Sequence, residues 1–79
     1  MTYFKLTIGI GNIYRSFDAD NLIVIELFNR TLQKRMVKLE GEALYNHMQS
    51  NTTKSNFVET TEEEFILNKT EILAVLNNA

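Results

Sequence analysis

The chain opens on a strict alternation. Phe4, Leu6, Ile8 and Ile10 face one way, and Lys5, Thr7 and Gly9 face the other. A strand repeats every two residues, so residues 3–10 are predicted to form a half-buried strand. Gly11-Asn12 places glycine first in a two-residue turn, which suits a type II′ hairpin, with Ile13–Phe17 as the returning strand. Asp18-Ala19-Asp20-Asn21 is a polar turn whose side chains can bond their own backbone. Leu22–Phe28 is apolar at every position except Glu26, the pattern of a strand covered on both faces, and belongs inside a sheet. Asn29-Arg30-Thr31 interrupts the pattern, and Leu32–Leu39 returns as a neighbouring strand with basic residues between apolar ones.

After Leu39 the period changes. Leu44, Tyr45 and Met48 share one face of a short helix near residues 41–50, and Glu40 and Glu42 at its start favour the helix dipole. Gln49–Asn56 reads as a polar loop. The last third supports two readings. One is a strand at Phe57–Thr60, a strand at Glu64–Asn68, a turn at Lys69-Thr70-Glu71 and a strand at Ile72–Leu76. This is the preferred reading, because it accommodates the β-branched residues and the Asn68-Lys69-Thr70 interruption. The other is a single helix over about residues 61–76, with Thr61 and Glu64 at capping-box spacing and Phe65, Ile66, Ile72, Leu73 and Leu76 in one sector. The expected fold is α+β: one domain over residues 1–79, with a mainly antiparallel sheet of five to seven strands, one short helix, and a second helix at 61–76 as the alternative. The closing stretch Phe65–Leu76 resembles the final hairpin of small β modules such as LytTR-type DNA-binding domains. That likeness spans twelve residues and carries no base-reading residue.

Composition narrows the function more than the fold. The 79 residues contain no cysteine, proline or tryptophan and one histidine. Disulfides are therefore excluded, and so are the Cys/His clusters of a structural zinc site. No apolar run reaches the length of a membrane span, and no export signal is visible, so a cytoplasmic protein without membrane contact is expected. Asn, Ile, Lys, Tyr, Phe and Met, which have AT-rich codons, number 32, against 10 for Gly, Ala, Arg and Pro. This bias suits a low-GC bacterium or its phages. A domain this small usually needs a staple or a partner chain, which makes a homodimer an expectation, through an edge strand or the Tyr45 helix face.

Candidate chemistry is sparse. His47 falls at the rim of the helix face and has no cysteine or second histidine to work with. Ser16, Ser50 and Ser55 lack an elbow motif. Gly9-Ile10-Gly11 is a fragment of a phosphate-loop pattern, explained by a hairpin turn. Glu62-Glu63-Glu64, with Glu59 nearby, lacks the alternating ligands and glycine of a calcium loop, and reads as an acidic turn or helix start. Three Asn-x-Ser/Thr triplets begin at Asn29, Asn51 and Asn68, a number that chance explains in an Asn- and Thr-rich chain. Neither a catalytic set nor a cofactor or metal site is expected, so the protein is read as a non-enzyme.

Charge is uneven. Residues 1–38 carry a net +3 and residues 39–79 a net −5. The basic segment Arg30, Lys34, Arg35 and Lys38 is a candidate partner-binding site, together with Leu44, Tyr45 and the acidic pair Glu62 and Glu63. The function these features suggest is that of a small non-enzymatic protein-binding regulator or inhibitor, encoded by a phage or other mobile element and acting through surface charge and shape. The alternative is a nucleic-acid-binding β-rich module that uses the basic strand at 30–38. Against that alternative, the isoelectric point is near 5.3 and the basic side chains alternate between faces.

Overall fold

A computed structural model describes residues 1–77. The elements run β1 (Thr2–Thr7), β2 (Gly11–Asp18), β3 (Ile23–Arg30), β4 (Gln33–Glu40), α1 (Glu42–Lys54), β5 (Val58–Glu59) and α2 (Glu62–Asn77). The sheet has five strands in the order β4-β3-β2-β1-β5, and every pairing is antiparallel. The α+β class is as the sequence indicates, and the realised version is the one with two helices.

The register explains why two helices are needed. Lys5, Tyr14, Leu27 and Met36 stand in one cross-strand row, and Phe4, Arg15, Glu26 and Val37 stand in the next. Alternate rows point to opposite faces. Helix α2 covers the Tyr14–Leu27 face, where Phe65 and Ile72 complete a buried cluster with Tyr3 and Ile25 at its margin. Helix α1 covers the other face, where Tyr45 packs on Phe17 and Val24 with Phe4, Leu22, Leu39 and Met48 around it. The sheet is thus the middle of three layers. Leu27, Val24 and Ile72 are fully buried, each contributing roughly 1.5–3 kcal/mol of transfer free energy. The aromatic rings of Phe17 and Tyr45 meet edge-on at 5.7 Å, which fixes how α1 sits.

Three expectations are corrected. The first hairpin does not turn at Gly11-Asn12. Thr7 pairs with Asn12, and the Ile8 N–H donates to the Gly11 carbonyl at 3.2 Å, so the turn is Ile8–Gly11. Gly11 cannot be moved out of this place. Its φ is +134°, and a Cβ there would lie 2.7 Å from both the Arg30 Cα and the Asn29 carbonyl oxygen. Ile8 and Ile10 consequently leave the strand and stand exposed at the tip.

The second correction concerns α1. It continues through the segment read as a polar loop and ends at Lys54. Thr52 and Thr53 turn their hydroxyls back onto the carbonyls of Met48 and Gln49, so these polar side chains are satisfied within the helix.

The third concerns the last element, Glu62–Asn77, which is one helix rather than a hairpin. This also ends the resemblance to the β-module hairpin. The Thr61 hydroxyl accepts the Glu64 N–H at 3.2 Å, and three glutamates occupy the positive end of the helix dipole. The Asn-Lys-Thr interruption is absorbed as well. Asn68 donates to the Glu64 carbonyl and Thr70 to the Ile66 carbonyl.

One buried ion pair ties α1 and the central strands together. Arg15 Nε donates to Glu26 Oε2 at 2.7 Å across the β2–β3 ladder, and both side chains are almost wholly buried. The same guanidinium donates at 2.8 Å to Asn51 and to Thr52 on α1, and it lies 4.3 Å from the centre of the Phe57 ring. The Arg15→Met substitution strands the Glu26 carboxylate and is expected to cost about 3–5 kcal/mol, a large share of what a domain of this size possesses. Adding Glu26→Leu is expected to restore most of it. Urea denaturation of the two variants checks this, and a single variant within about 1 kcal/mol of the parent would count against the assignment.

Candidate interaction surfaces

Helix α2 has two apolar sides. Phe65 and Ile72 face the sheet. Ile66 and Leu67, at 49% and 60% exposure, face away from it. They line a shallow groove with Thr70, Glu62 and Glu63. A helix that needed only to cover the sheet would carry polar residues there. The Glu-Phe-Ile-Leu run places apolar side chains on both sides within one turn, so the groove is already written in the order of the residues.

A row of polar contacts along the inner flank of α2 fixes which side faces out. Tyr14 Oη donates to Glu64 Oε2 at 2.8 Å, and Lys5 Nζ lies 3.0 Å from the same oxygen. One turn on, Asn68 Oδ1 accepts from Asn29 Nδ2 at 2.6 Å. Glu71 accepts from the same amide at 3.1 Å, and Asn29 Oδ1 accepts from Lys34 at 2.7 Å. Rotating α2 to bury Ile66 and Leu67 would break the contacts made by Glu64, Asn68 and Glu71. Of the three consecutive glutamates, Glu64 therefore turns to the sheet, while Glu62 and Glu63 stay exposed beside the groove. The carboxyl of Glu64 is held below its usual range, first by the Tyr14 hydroxyl and then by Lys5. The Tyr14 hydroxyl is pushed up, first by burial and then by donating to Glu64.

The second apolar surface is the end of the sheet where the β1–β2 and β3–β4 turns meet. Ile10 and Leu32 line a depression there with Arg30, Thr31 and Gln33. Leu32 is 97% exposed. On the α1 side of the sheet, the row Leu6–Ile13–Phe28–Arg35 belongs to neither buried cluster. The Arg35 guanidinium sits 4.7 Å over the Phe28 ring.

The basic segment does not form one patch. Lys34 and Lys38 project to the α2 side, whereas Arg30 and Arg35 project to the α1 side. Lys34 is engaged by Asn29, Lys38 lies 2.9 Å from Glu40, and Arg35 is drawn onto Phe28. Leu44 is exposed on α1. Tyr45 is not a surface residue. It is 7% exposed and part of the core, so the Tyr45 face of α1 is occupied by the sheet. His47 is exposed on α1. Among the described residues, no three His, Asp or Glu side chains come together as a metal-binding group. No helix of the described residues is long and apolar enough to cross a membrane. The three Asn-x-Ser/Thr asparagines are each engaged, Asn29 with Asn68 and Asn51 with Arg15.

The Ile10–Leu32 end and the apolar floor of the α2 groove are not evident from the sequence, which points only to the rim residues Glu62 and Glu63. The first was hidden because Ile8 and Ile10 fit the strand alternation so well. The second is hidden because the preferred reading of residues 64–76 is strand, turn and strand, with the helix over about 61–76 as the alternative. Comparison of the chain with family models, with curated proteins and with solved structures finds no match.

The Glu64 contacts carry a pH signature. A carboxyl whose folded pKa is depressed contributes stability that is present above its unfolded pKa and is lost as pH falls through the folded one. From the ordinary value of 4.5 downward, the parent is therefore expected to lose Tm faster with falling pH than Glu64→Gln does. Because Glu64 is about one-third exposed, the difference is small. Thermal melts between about pH 6 and pH 3 measure it, and parallel curves would show that the bonds to Tyr14 and Lys5 are not formed in solution.

Proposed function

We propose that the protein is a non-enzymatic, cytoplasmic protein-binding regulator or inhibitor of mobile-element origin, and that the outer groove of α2 is its binding face. The supporting observation is the distribution of apolar side chains. Among the described residues, eleven large hydrophobics are exposed while seven are buried. Single exposed hydrophobics are ordinary, but adjacent ones rimmed by charge mark interaction sites. Ile66 and Leu67 with Thr70 give a groove floor, and Glu62 and Glu63 give an anionic rim. The occupant this chemistry selects is a protein segment with aliphatic anchors on one side and Lys or Arg beside them, an amphipathic helix being the simplest form. The anionic rim sets orientation and on-rate, and the aliphatic floor supplies affinity.

The nucleic-acid reading has less support, because its four basic residues are divided between two faces and three of them have local partners. The two readings separate in one experiment. Immobilised parent protein and an Ile66→Asp/Leu67→Asp variant are exposed to lysate of a low-GC bacterial host, and the retained proteins are identified by mass spectrometry. At least one protein is expected to bind the parent and to lose at least about thirtyfold in affinity to the variant, as for a truncated interface hot spot. The variant should keep its own fold by circular dichroism, since both positions face solvent. Equal retention by parent and variant would refute the groove. A gel shift near 50 mM salt, abolished by neutralising Arg30 and Arg35, would favour the nucleic-acid module instead.

A further inference from the structure

The two edges of the sheet are unequal. On the β1 side the edge strand β5 is two residues long. On the other side β4 presents an outer edge eight residues long, which no strand of the described residues pairs. Such an edge carries a row of unpaired N–H and C=O groups and is a template for another strand. Neither proline nor a bulge interrupts it: β4 pairs with β3 one-to-one from Gln33 to Glu40. Its lysines are the only protection, and their spacing says which strand they leave room for.

We propose that β4 pairs antiparallel with β4 of a second copy of this chain, about a two-fold axis at Val37, to make one continuous ten-stranded sheet. The argument is one of elimination by charge. A two-fold axis normal to the sheet keeps each face on its own side, so the register must be centred on a single residue. Centred on Lys34, Arg35 or Lys38, the pairing sets that residue against its own copy. Centred on Met36, it sets Lys34 against Lys38. Like charges directly opposite are destabilising. Centres at Gln33, Leu39 or Glu40 pair three residues of the strand or fewer. Val37 is the remaining centre. It places Lys34 opposite Glu40 twice, Arg35 opposite Leu39 twice, Met36 opposite Lys38 twice, and Val37 opposite itself. No like charges meet. Glu40 already lies 2.9 Å from Lys38 of its own chain, so in the pair it stands between two lysines. The lysines that disfavour the other registers therefore select this one. The surface is separate from the α2 groove, and the pairing stands or falls independently of what that groove binds.

The absence of cysteine makes a clean test possible. Residues directly opposite in an antiparallel ladder have Cα atoms about 4.5–5.5 Å apart, within the reach of a disulfide. Val37→Cys, Met36→Cys and Lys38→Cys are prepared singly and oxidised under a glutathione buffer. Val37→Cys is expected to form a covalent dimer at several-fold higher yield than either neighbour. A mixture of Met36→Cys with Lys38→Cys should cross-link better than either alone. Greater yield from Met36→Cys or Lys38→Cys alone, or none from any, overturns the register. The uncross-linked protein is examined by sedimentation equilibrium. Glu40→Lys, which sets lysines opposite, is expected to weaken the dimer about tenfold, and Lys34→Glu/Glu40→Lys to recover it. A parent protein that sediments only at 9.2 kDa near 100 μM overturns the proposal. The Ile66→Asp/Leu67→Asp variant should dimerise like the parent.

Discussion

The fold depends on covering one strand. β3 is apolar on both faces, and each helix can shield only one of them. Val24 requires α1, Leu27 requires α2, and neither requirement is met by lengthening the sheet. This constraint sets the architecture: a meander of four long strands first, then a helix for each side. It also sets the cost of the polar groups inside. Glu26 lies in the same strand, on the side of Val24, and its carboxylate is tolerable there because Arg15 stands directly opposite it. Arg15 in turn reaches Asn51 and Thr52, so the charge that β3 brings into the interior is also what anchors the far end of α1.

Much of this is legible in the residues. The two-sided apolarity of Leu22–Phe28 and the change of period after Leu39 each have one simple reading that the structure bears out, and the alternation of β1 holds as far as Thr7. The misreadings share a cause. In Ile8-Gly9-Ile10 the alternation continues past the point where Gly11 must approach the Arg30 backbone, and a contact between β2 and β3 decides the turn. In α2 the choice between helix and hairpin rests on Asn68. By local preference it breaks a helix, but here it reaches Asn29, thirty-nine positions earlier in the chain. Both outcomes are set by residues distant in sequence, which a window of neighbours does not contain. A local signal for the Arg15–Glu26 pair did exist: a lone acid in an otherwise apolar strand calls for a cation nearby.

The surfaces follow from the same economy. Seven buried hydrophobics are a small core for a sheet with two faces; six more pack partly buried at their margins, and eleven large ones among the described residues stay exposed. They are not scattered evenly. They gather on the far side of α2 and at the turns opposite the α1 end of the sheet. The first of these is rimmed by Glu62 and Glu63, and the second has Arg30 beside it.

The order of the elements has a consequence for how the protein is made. All four long strands precede both helices, so the meander is made before the segments that cover it. At rates of about 5–20 residues per second, the segment Glu42–Asn77 that carries α1, β5 and α2 takes roughly 2–7 s to synthesise. Until those elements dock, Leu27 and Val24 have no cover, and the edge of β4 is open to a neighbouring chain. Lys34, Arg35 and Lys38 then disfavour out-of-register pairing of that edge until the helices close the two faces.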